Sequence, residues 1–68
     1  MSEQWQIRAI LDDAPDGLRL VMHATRGDQQ TSDVVVVDGP AEARLECSRF
    51  AQLLGVENYA LEDRRDAA

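Results

Sequence analysis

The chain has 68 residues, enough for one small domain and no more. Thirteen acidic residues oppose seven arginines, with no lysine, and the formal net charge is −6. Phosphate repels such a surface, so non-specific DNA or RNA binding is disfavoured.

Cys47 is the only cysteine and His23 the only histidine, which excludes an internal disulfide and a Cys/His metal site. No cofactor is implied by any motif. No run of about 18 apolar residues is present, so no membrane-spanning helix is expected. Met1 to Trp5 lack the basic region and apolar core of a signal peptide. The expected location is the cytoplasm, where a lone reduced thiol is ordinary.

Trp5, Ile7, Ala9 and Leu11 alternate with Gln6, Arg8 and Ile10. Period two predicts a first strand over 5–11. Asp12-Asp13-Ala14-Pro15-Asp16-Gly17 follows, and its turn formers predict a hairpin loop. Leu18, Leu20, Met22 and Ala24 then alternate with Arg19, Val21, His23 and Thr25, a second strand over 18–26. Gly27 to Ser32 is polar and reads as a second turn. Asp33 and the run Val34 to Val37 make a third strand with apolar groups on both faces. One face covers the core, and the other needs a cover of its own.

Gly39 and Pro40 open a helix, because proline at the first helical position loses no hydrogen bond. Glu42 suits the positive dipole end. Gly55 suits a left-handed stop after Leu54. Ala43, Cys47, Phe50, Ala51 and Leu54 share one helical face, with Phe50 and Leu54 expected in the core. Leu45 falls on the opposite face, where folding does not require it. Residues 56–61 allow a short C-terminal strand. Residues 62–68 are charged and are expected to fray, leaving one domain over 1–61.

The candidate catalytic groups do not assemble. Asp12, Asp13 and Asp16 lack the alternating spacing of a calcium loop and are ordinary turn residues. His23 is expected on the outer sheet face and Cys47 on the inner helix face, so they form no pair. Catalysis needs a nucleophile, a base and an orienting group together. The reading is therefore no enzyme, with no catalytic, cofactor or metal residue.

What remains is surface. Ile10 and Val21 interrupt the polar alternation of the outer face, beside Arg8 and Arg19. An apolar strip edged by arginine is the pattern of an interface. The expected contact set is Arg8, Ile10, Arg19, Val21, one alternating valine pair given by Val35 and Val37, and Leu45 on the helix. The expected architecture is α+β: a three-stranded antiparallel meander followed by one helix packed on one face (βββα). The expected function is docking onto a larger protein, as inhibitor, adaptor or accessory subunit. That is a class-level association with small phage and bacterial regulators. A homodimer is expected because a core this small has no disulfide or metal to stabilise it. The alternative is a nucleic-acid-binding dimer using Arg8, Arg19 and Arg26, which the net charge opposes.

Overall fold

The computed structural model describes residues 3–65. Strands β1 (Gln6–Ala14), β2 (Gly17–Arg26) and β3 (Gln29–Val37) form an antiparallel meander. Helix α1 (Pro40–Leu54) follows and packs on one face of the sheet, and a short strand β4 (Ala60–Asp63) ends the fold. The sheet order is β3-β2-β1-β4. The α+β meander-then-helix architecture is the one the periodicities predict.

Both connections between the first three strands are tighter than their composition suggests. Ala14 pairs with Gly17 and Arg26 with Gln29, leaving only Pro15-Asp16 and Gly27-Asp28 unpaired. Asp12, Asp13 and Gln29 to Ser32 therefore lie in strands. Their backbones have partners in the ladder, and their polar side chains stay exposed, so polarity alone does not end the pairing. Pro15 and Asp16 keep negative φ, and the first reversal is completed by Gly17 at φ 142°. A side chain would strain that conformation.

The fourth strand pairs parallel to β1, with Arg8 opposite Ala60 and Leu11 opposite Asp63. The Arg64 N–H donates to the Leu11 carbonyl at 2.7 Å and extends the contact. The strand thus starts later than 56–61 suggested and takes in Glu62 and Asp63. The cause is backbone pairing along β1, which the irregular Val56-Tyr59-Leu61 spacing does not reveal. Residues 66–68 of the expected frayed tail lie outside the described residues.

The ends of α1 follow local chemistry. Gly39 is extended and has no side chain to cap with, so Glu42 reaches back and accepts from the Asp38 N–H at 3.0 Å. At the other end Gly55 has φ 74°, and its N–H bonds the Gln52 carbonyl while the Val56 N–H bonds Ala51. That is the Schellman arrangement.

Packing follows the period-two pattern. Ile7, Ala9, Leu11, Leu20, Met22, Ala24 and Val37 are buried from the sheet. Ala43, Cys47 and Ala51 are buried from the helix. These small residues recur every four positions and form the seam along which the helix meets the strands. Phe50 and Leu54, expected inside, are half-buried instead. They sit at the flank of the seam, because residues 43, 47 and 51 occupy the line nearest the sheet. Phe50 and Tyr59 touch both apolar clusters and join them.

Two substitutions test this packing. Ala43→Leu forces a larger side chain into the filled seam, with an expected cost of about 1–3 kcal/mol. Phe50→Ala removes a half-buried ring, with an expected cost of about 2 kcal/mol, roughly half the usual loss for a fully buried phenylalanine. Urea denaturation of both variants measures these costs. A larger loss for Phe50→Ala than for a fully buried ring would mean that Phe50 is the centre of the core.

Candidate functional site

The helix covers one face of the sheet, and no element among the described residues covers the other. Period two decides which side chains that open face carries. The register then sets them in rows. The central row is Val34, Val21, Ile10 and Glu62, reading from β3 to β4. On one side lies Val36, Arg19 and Asp12. On the other lies Ser32, His23, Arg8 and Ala60. The apolar strip is thus Ile10, Val21, Val34 and Val36, crossing three strands, with arginine on both sides. Val34 is 55% and Val36 52% exposed.

This arrangement keeps four of the expected contact residues together: Arg8, Ile10, Arg19 and Val21. It corrects the valine pair. Val35 lies opposite Leu20 and Val37 opposite Leu18, so both face the helix. Val37 is buried, and Val35 packs half-buried on the same cluster. Directly paired residues share a face, so Val34 and Val36 are the outward pair. The signal that identifies them is Gly27-Asp28, a two-residue hairpin pattern that fixes the register from Arg26 opposite Gln29.

Leu45 is 51% exposed on the helix layer, away from the open sheet face. It does not join the other contact residues. Leu53 is 84% exposed on the same helix. Arg26, grouped with Arg8 and Arg19 in the nucleic-acid alternative, is also elsewhere. Its guanidinium lies 4.8 Å from the Trp5 ring centroid and bonds the Gln29 side-chain oxygen. Parity places it on the helix side of β2.

Arg8, Ile10, Val21, His23, Ala60, Glu62 and Arg64 line a shallow hollow of about 470 Å³ on the open face. Arg64 is paired with Glu62. Next to it the Arg65 guanidinium bonds both carboxylate oxygens of Asp63. These bonds hold the Asp63 carboxyl down at about 2. Arg8 and Arg19, in contrast, make no hydrogen bond or ion pair among the described residues. Only Asp12 and Glu62 of the chain's acidic residues occupy the outward strand positions. A chain of net charge −6 therefore presents a face of nearly balanced charge.

His23 lines the open hollow, while Cys47 is buried between helix and sheet. Burial pushes the Cys47 thiol up, with the Glu46 charge adding to the effect. Among the described residues no three His, Cys, Asp or Glu side chains converge as a metal site would require. No helix among them is long and apolar enough to cross a membrane. Comparison with protein-family models, curated proteins and solved structures finds no match for this chain.

The placement of Cys47 is directly measurable. A buried thiol with a raised pKa has little thiolate to attack an electrophile. Iodoacetamide at pH 8 is expected to label the native chain far more slowly than the chain in denaturant. Equal labelling rates would place Cys47 outside the seam.

Proposed function

We propose that this chain is a non-enzymatic binding protein that acts by docking its open sheet face onto another protein. The roles that fit are inhibitor, adaptor or accessory subunit of a bacterial or phage regulatory type, working in the cytoplasm. The observation that carries the proposal is the row of half-buried Ile10 and Val21 and exposed Val34, with exposed Val36 beside it, over which no described element packs. A contiguous apolar strip edged by arginine is the composition of an interface core. The near balance of charge on that face also removes the repulsion that the rest of this acidic chain would impose. A homodimer belongs to the same reading, since a second copy is one protein able to cover the strip.

Nucleic acid is a poorer match to this face. Sheets that read single strands stack bases on exposed aromatic rings. Trp5, Phe50 and Tyr59 all pack against the core clusters on the helix side.

The test places a charge in the middle of the strip. Val21→Glu is expected to melt within a few degrees of the parent, since its side chain points away from the core. It is expected to lose the proteins that the tagged parent retains from its host, identified by mass spectrometry. Leu45→Glu, on the other layer, is expected to keep them. If Val21→Glu folds and keeps every interaction while Leu45→Glu loses them, the helix is the docking surface and the proposal fails. Binding that appears only as a salt-sensitive DNA or RNA gel shift also overturns it.

A further inference from the structure

We infer that the open face takes a second copy of this chain, packed face to face about a two-fold axis that runs along the Val34–Val21–Ile10 row. The inference rests on the docking role of that face and adds its occupant and geometry. Three observations carry it.

The first is charge. Arg8 and Asp12 lie on β1, each two residues from Ile10, one on either side of the row. They are about 13 Å apart at the spacing of an extended strand. A two-fold axis along the row stacks Val34, Val21 and Ile10 on their own copies, and at the β4 rim it brings Glu62 to its own copy, each carboxylate paired with Arg64 of its chain. It also exchanges the two flanks, so Arg8 of each chain meets Asp12 of the other. Arg8 has no ion-pair partner within its own chain among the described residues. Arg19 meets His23 of the second copy and adds no pair, so the geometry stands on Arg8 and Asp12. The other in-plane axis, along the strands, would set Arg19 on Asp12 but press Val34 onto Glu62. It covers an apolar side chain with a carboxylate in each half of the interface, whereas the row axis keeps the Arg64-paired Glu62 carboxylates together at the β4 rim and packs apolar on apolar elsewhere in the row, so the strand axis is the worse solution.

The second observation is area. Three strands of nine or ten residues and one of four, about 4.8 Å apart, present roughly 500 Å² per copy, or about 1,000 Å² for the pair. That is the threshold for a specific interface. Two such faces stack as an aligned sandwich about 10 Å thick, with the helices outside.

The third is that the sheet edges carry features that discourage pairing with a second copy. In the hairpin joining β2 and β3, Arg26 opposite Gln29 is the hydrogen-bonded pair, so the even-numbered residues of β3 direct their N–H outward. At the middle of the apolar stretch, the Val34 N–H is already taken by the Asp33 carboxylate at 2.9 Å. A charge plugging the ladder discourages strand addition. The other edge, β4, has four residues and carries Glu62 and Asp63. With edge pairing disfavoured, the face with its four adjoining apolar side chains suits self-association better than Leu45 and Leu53, which lie eight residues apart on the helix.

The experiment is a charge swap read by sedimentation equilibrium of the purified chain. Arg8→Asp and Asp12→Arg each place like charges across the axis. Each is expected to weaken the dimer at least about tenfold. The double variant R8D/D12R restores the pairing and is expected to return to within about threefold of the parent. Both residues are exposed, and circular dichroism confirms that each variant folds. Val21→Cys, on the axis, is expected to be joined to its copy by a short bis-maleimide cross-linker, since sheets about 10 Å apart hold the two thiols beyond disulfide reach, with Cys47 protected by burial. A parent that remains a 7.6 kDa monomer at all concentrations overturns the inference. It leaves the docking reading standing, because the Val21→Glu retention test uses a different partner. A dimer indifferent to both single swaps, or one restored by R19D/D12R instead, overturns the geometry. If Val21→Glu keeps both the dimer and every other interaction, the docking reading fails with it.

Discussion

Everything in this fold depends on one helix meeting one face of the sheet along a seam of small residues. Ala43, Cys47 and Ala51 lie on that line, and all three are buried. Small side chains let the helix backbone approach the strands, so Leu11, Leu20, Met22 and Val37 can fill the space beneath it. A helix of 15 residues is about 22 Å long and about 10 Å across. It has no second face to offer. Among the described residues no element covers the opposite side of the sheet.

That constraint explains where the apolar surplus lies. A four-stranded sheet exposes two faces, and strand chemistry favours β-branched residues on both. Val34 to Val37 illustrates the division. Val35 and Val37 turn toward the helix and enter the core, while Val34 and Val36 turn outward and stay exposed. The two edges are managed differently from the face. Asp33 occupies an outward N–H on β3, and β4 is short and charged. These are the devices that discourage edge pairing. The open face has no comparable guard across Ile10, Val21 and Val34. It is also nearly neutral, although the chain as a whole carries −6.

The electrostatics agree with this division of labour. Three arginines on the helix and at the C-terminal end are paired nearby, Arg49 with Glu46, Arg64 with Glu62 and Arg65 with Asp63, while Arg44 of the helix has no ion pair among the described residues. These pairs are exposed and contribute little to stability. Arg26 stacks on Trp5. Arg8 and Arg19, beside the strip, are the sheet arginines with neither an ion pair, a hydrogen bond nor a ring contact among the described residues. Side chains satisfied within the chain gain little from a partner. These two have hydrogen-bonding capacity still to use.

The sequence by itself determined the helix and the inner face of the sheet. Gly39-Pro40 and Gly55 bound the helix by local dihedral preference, and period two in Ile7 to Leu11 and Leu20 to Ala24 assigns the buried side. Both signals come from residues close together in the chain. It also showed Arg8, Ile10, Arg19 and Val21 as one outward group. Tertiary structure decided the rest. The parity of the valine run depends on the register with β2, and a one-residue slip reverses every side chain. The parallel pairing of Ala60–Asp63 with β1 joins segments about fifty residues apart, and no local pattern encodes such a contact. Phe50 and Leu54 moved from core to flank because the close line of the helix is set by what the sheet can accept. Leu45 is apolar and outward, as its helical position indicates. Only the fold shows that it lies on a different layer from the strip.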